Sequence, residues 1–69
     1  MNMEKRWERI YSTDKPHLVS IVREILDEND IESVEVNKKD SVYGIGDIEI
    51  FVHEKDVVTA RVLVLENKL

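Results

Sequence analysis

The side chains best equipped for chemistry are two histidines, an acidic run and a handful of basic residues, and their spacing decides how far each can go. Glu49 and His53 lie four apart in a stretch of alternating polarity. That places both on one face of a strand, the arrangement of a carboxylate–imidazole pair, although a lone histidine of this kind is more often a surface side chain. His53-Glu54 is not followed by a second histidine four residues on, so the zinc-binding helix of a metalloprotease is excluded. Ser20 and His17 sit three apart on the polar side of a helix, with no third group to orient the imidazole and no oxyanion donors. Asp27-Glu28-Asn29-Asp30-Ile31-Glu32 would attract a cation, yet it lacks the glycine and the terminal bidentate glutamate of a calcium loop. Gly44-Ile45-Gly46 precedes a strand instead of opening a helix and has no third glycine, so it is no dinucleotide-binding turn. There is no cysteine, which removes disulfides, thiolate nucleophiles and cysteine-ligated zinc. For a phosphorylated ligand the available contacts are Lys38, Lys39 and Arg61, with Tyr43 in the same polar loop as the lysines. The expectation is no catalytic residue, no metal, no cofactor, and a protein that is not an enzyme.

Composition points the same way. The chain has 69 residues, enough for a single domain over 1–69, with 10 basic against 15 acidic side chains and a net charge of −5. A sequence pI near 4.9 argues against a phosphate-backbone binder, so no nucleic acid is expected as a partner. The longest aliphatic run, Val62-Leu63-Val64-Leu65, is far below the roughly 18 residues of a membrane span. The start, Met1 to Arg6, is charged with no apolar stretch behind it, so neither a secretory signal nor a membrane is expected and the location is read as cytoplasmic. A chain this short buries only about 60% of its unfolded surface, and without disulfide or metal, dimerisation is the natural supplement.

The elements that must position these residues are marked by one proline and two glycines. Trp7 to Ser12 is rich in aromatic and β-branched residues and predicts a first strand. Asp14 is placed to cap a helix that Pro16 begins and that runs to about Asn29. Leu18, Val19, Ile21, Val22, Ile25 and Leu26 form its apolar arc, and Asn29-Asp30 a left-handed stop. Ile31 to Val36 predicts a second strand with Val34 and Val36 on one face, followed by a polar loop from Asn37 to Gly46. Asp47 to His53 predicts a third strand, with Ile48, Ile50 and Val52 inward and Glu49, Phe51 and His53 outward. Glu54 to Leu69 is rich in β-branched residues, but its length, its acidic start and Lys68 near its end favour a second helix.

Ile10-Tyr11-Ser12-Thr13, then Pro16, then the run ending Ile25-Leu26-Asp27-Glu28-Asn29-Asp30-Ile31, resembles the opening of the putative prokaryotic signal-transducing protein family. Ile48-Glu49-Ile50-Phe51-Val52 followed by Glu54-Lys55-Asp56 and Ala60 is similar to its second half. The likeness covers roughly Trp7 to Leu69 and rests on apolar patterning; Asp30 replaces the family's usual helix-stop glycine, and Val57 an expected alanine. The resemblance implies an α+β fold, a ferredoxin-like plait of βαββα order without its last strand. Its three-stranded antiparallel sheet has the order 1-3-2, two helices on one face, and the first strand as an open edge. It also implies kinship in fold with the PII-type regulators, in which the loop corresponding to Asn37–Gly46 contacts targets. No catalytic residue is carried over.

Two surfaces invite a partner. If Ile10 points to the helices, then Trp7, Arg9 and Tyr11 point away with Phe51, giving an aromatic platform; in the reverse phase Trp7 and Tyr11 are core. On the second helix, Val57, Ala60 and Val64 make a stripe suited to the sheet. Val58, Val62, Leu65 and Leu69 make a second, with Arg61 and Lys68 between the two. Trp7, Tyr11, Phe51, Val58, Leu65 and Leu69 are therefore the expected interface of a homodimer or of a contact with another protein. The expected function is a small non-enzymatic regulatory or interaction module. The alternatives are a PII-like sensor of a nucleotide or metabolite and a structural subunit of a larger complex.

Overall fold

β-branched and aromatic runs pair into one sheet while the 3.6-residue periodicity between them builds the layer above it. The computed structural model describes residues 6–37 and 48–69. The elements are β1 (Trp7–Thr13), α1 (Pro16–Glu28), β2 (Ser33–Asn37), β3 (Ile48–His53), a 3-10 turn (Glu54–Asp56) and α2 (Val57–Glu66). The strands are antiparallel in the order β1-β3-β2. With both helices packed on one side, this is the expected plait lacking its fourth strand.

β3 is the central strand and alternates cleanly. Ile48, Ile50 and Val52 are almost fully buried beneath Val19, Val22 and Leu26 of α1 and Val57 and Ala60 of α2, with Ile31 closing the cluster. Leu18 and Ile25 are half-buried, while Ile21, expected within the apolar arc, is exposed.

The first strand takes neither of the two expected phases throughout. Trp7 lies opposite His53 and Arg9 opposite Phe51, but then Tyr11, not Ile10, lies opposite Ile50. Ile10 is the extra residue of a β-bulge, which lets two consecutive side chains lean toward the same side. Trp7 and Arg9 therefore share the helix-free face with Phe51, whereas Ile10 and Tyr11 both pack against the core. Tyr11 is accordingly removed from the expected aromatic platform.

Helix α1 begins at Pro16 as expected, but its N-cap is Lys15, and no side chain caps it. Asp14 pairs instead with Lys15 Nζ at 3.4 Å, and Thr13 Oγ1 accepts the Lys15 N–H at 3.2 Å. Both helices end alike. Asp30 has φ 62° and Lys68 φ 56°. The following N–H groups, of Ile31 and Leu69, donate back to Leu26 O and Val64 O at 2.9 and 3.2 Å. Those of Asp30 and Lys68 donate to Asp27 O and Leu65 O at 3.0 and 3.1 Å. This is the Schellman closure, in which one left-handed residue folds the next apolar side chain back over the last turn. At the second end it carries Leu69 onto the core, away from the outer stripe where it was expected.

Each edge strand is met by an arginine from the helix layer. Arg61 Nη2 donates to Arg9 O of β1 at 3.4 Å, and Arg23 Nη2 to Ser33 O of β2 at 3.4 Å. Arg23 also reaches Ser33 Oγ and Glu35 Oε1, each at 3.2 Å.

Candidate functional site

The face of the sheet opposite the helices gathers side chains that register alone brings together. Cross-strand partners share a face, so Trp7 joins His53, Val34 joins Phe51, and both Ser12 and Val36 flank Glu49. Trp7, Val34, Val36 and Phe51 line a shallow apolar depression of about 300 Å³. Three of the four are exposed and Phe51 is half-buried.

Two polar groups frame this depression. The His53 ring lies against the Trp7 indole with centroids 4.0 Å apart and planes 30° from parallel. Its Nε2 is 3.1 Å from Glu32 Oε1, just before β2. Glu49 Oε2 accepts a hydrogen bond from Arg9 Nη1 at 2.8 Å. The two polar outward residues of β3 are consequently buried despite their direction, His53 at 8% exposure and Glu49 at 6%. The expected spacing between Glu49 and His53 is real, but each has turned to another partner, and His53 is not the surface side chain expected of it. His53 Nε2 and the Glu49 carboxylate are both engaged, so what the face offers a partner is apolar contact bounded by charge. Among the described residues no group of three or more His, Asp or Glu could hold a metal ion. No helix among them is long and apolar enough to cross a membrane.

The other expected site residues are dispersed. Lys38, Lys39 and Tyr43, and the loop Asn37–Gly46 beyond its first residue, lie outside the described residues. Arg61 is exposed on α2, its guanidinium against the β1 backbone. Trp7 and Phe51 stand on the uncovered face; Val58 and Leu65 stand on the far side of the molecule, on the outer surface of α2. Sequence reasoning missed Glu32 and Arg9 as partners of the two buried polar groups. It also missed the bulge, whose signal was the adjacent apolar pair Ile10-Tyr11 inside a strand.

The fold and this face together define an α+β domain of the truncated plait type with one sheet surface that no described element covers. The chain belongs to the family described as "Putative prokaryotic signal transducing protein", whose model matches residues 7–68. Neither a curated protein nor a solved structure matches the chain.

Proposed function

We propose that this chain is a small non-enzymatic regulatory module that acts through protein–protein contact and works as a homodimer. The observation that carries the reading is the placing of uncovered apolar side chains on two sides of one thin domain. Trp7, Val34, Val36 and Phe51 occupy the sheet side, and Val58, Val62 and Leu65 the helix side. Apolar patches of this kind mark contact surfaces, and no described element covers either one. The non-enzymatic part is supported by the two groups suited to acid–base work on the sheet, His53 and Glu49, being held by Trp7, Glu32 and Arg9. The family's name supports a role in signalling.

The test is assembly in solution. Phe51→Glu and Leu65→Glu each place a charge on one surface, and sedimentation equilibrium over a wide concentration range reads the mass. A dimer weakened by at least one of them, with the fold intact by circular dichroism, is the expected result. A wild-type chain that stays monomeric throughout refutes the homodimer.

A further inference from the structure

Helix α2 is apolar on two sides. Val57 and Ala60 are buried against the sheet and α1, while Val58, Val62 and Leu65 are 76%, 45% and 75% exposed on the outer surface. A helix with this distribution is normally buried on both sides. The outer three stand four and three residues apart, the spacing of a heptad seam.

The flanks of that seam say what covers it. At about 100° per residue, Arg61 falls roughly 65° to one side of the seam and Glu66 roughly 75° to the other. Arg61's side is fixed independently by its bond to the Arg9 carbonyl, so it borders β1. A seam with a cation on one flank and an anion on the other is self-complementary in one orientation only. When two such helices lie parallel about a twofold axis along their length, each Arg61 flank meets the other copy's Glu66 flank. The five-residue offset from Arg61 to Glu66 is that of the ion pairs bordering a parallel seam. When they lie antiparallel, Arg61 meets Arg61 and Glu66 meets Glu66.

The strand edges compete poorly for the same role. The bulge at Ile10 breaks the ladder in β1, and Arg61 and Arg23 cover a carbonyl on each edge.

We infer that two copies of this chain pair through α2, parallel, with Val58, Val62 and Leu65 forming the seam and Arg61 of each copy facing Glu66 of the other. This rests on the homodimer reading and names its surface. A guanidinium has five N–H donors, so the bond to Arg9 leaves others for a carboxylate. Three apolar side chains per copy bury less than the roughly 1,200 Å² of a standard stable interface, so the dimer is weak and reversible. The sheet face remains free in it.

Sedimentation equilibrium from about 10 µM to 1 mM tests this, since that range brackets a contact of such size. Leu65→Lys, at an exposed position, is expected to weaken association at least tenfold while the thermal unfolding of the dilute chain is unchanged. Glu66→Arg sets cations against cations on both flanks and is expected to weaken it roughly tenfold. Arg61→Glu combined with Glu66→Arg restores opposite charges and is expected to return association to within a few-fold of wild type. Glu66→Arg is read first, because Arg61 also touches β1. Association that survives Leu65→Lys but is lost in Phe51→Glu assigns pairing to the sheet face; it overturns this inference and leaves the homodimer standing. Association insensitive to Glu66→Arg, or not restored in the double variant, overturns the parallel arrangement. A wild-type monomer at every concentration overturns both readings.

Discussion

Replacing Arg9 by methionine removes the arginine partner of Glu49, the acid on the sheet face opposite the helices, while keeping a long apolar stem lying over the strand. The Glu49 side chain is 8% accessible and that of Arg9 60%, and their charged atoms are 2.8 Å apart. Breaking a fully buried pair by removing one member costs about 3–5 kcal/mol, because the survivor is left desolvated and uncompensated. Breaking an exposed pair costs only about 0–1 kcal/mol. Here one end is buried and the other wet, and Glu49 has a further interaction besides Arg9. The expected loss for Arg9→Met is therefore about 1–2 kcal/mol. For a domain of this size a urea m-value near 1 kcal/mol/M turns that into a midpoint about 1–2 M lower. The measurement is made at low micromolar protein so that association does not contribute.

A second variant decides whether the cost is desolvation or lost packing. Arg9→Met combined with Glu49→Leu removes the charge as well as its partner and leaves two apolar chains of similar reach. It is expected to recover to within about 1 kcal/mol of wild type or to exceed it, as buried pairs replaced by apolar ones generally do. An Arg9→Met midpoint equal to wild type refutes the claim that Arg9 compensates Glu49. A double variant lower than the single one shows that packing, not charge, sets the cost.

Two further outcomes follow from geometry already described. Asp30 and Lys68 hold left-handed backbone at φ 62° and 56°, which glycine adopts without a Cβ penalty. Asp30→Gly and Lys68→Gly are each expected to stabilise by about 0.5–1 kcal/mol, or roughly 3–6 °C in Tm, by thermal unfolding; a Tm at or below wild type for both contradicts the strain argument. Trp7 is the only tryptophan, and its ring lies on His53, so its emission reports that contact. His53→Ala uncovers one side of the indole and is expected to shift emission to the red, whereas an unshifted spectrum means the rings do not stack in solution.

What could be read from the sequence is what local physics fixes by itself. The alternation of Ile48, Ile50 and Val52 is that of the core strand. Pro16 opens α1, and Asn29-Asp30 closes it because a short polar side chain tolerates positive φ. The second closure, at Lys68, went unread since lysine has no such tolerance. The signal was there in Glu66-Asn67-Lys68-Leu69, which repeats the pattern of Glu28-Asn29-Asp30-Ile31. Asn67 Nδ2 bonds Leu63 O just as Asn29 Nδ2 bonds Ile25 O, both at 2.8 Å. The partners of the bare face were not legible, because Arg9–Glu49 and His53–Glu32 are set by register between distant strands. A single bulge reverses which side of β1 each later residue occupies. Phe51 was placed outward, while the phase of β1 was open between two readings, and the bulge gives Trp7 the one and Tyr11 the other.

The strand edges themselves, more than the two arginines that meet them, explain why partners are to be sought on faces. Each arginine donates to its edge carbonyl at 3.4 Å from an exposed position. A bond that long is weak, and an incoming strand would displace it at little cost. The larger obstacle on β1 is the bulge, since a second strand cannot stay in register past Ile10 without leaving ladder groups unmatched. On β2, Arg23 is held by Ser33 Oγ and Glu35 as well as by the backbone, which keeps it over the described part of that edge. Face contacts meet no such obstacle, for the apolar groups at Phe51 and Leu65 need only exclude water and break no hydrogen bond in doing so. A partner that docks by either face therefore leaves the three-stranded sheet as it is. A partner that adds a strand to β1 has to remodel the bulge first.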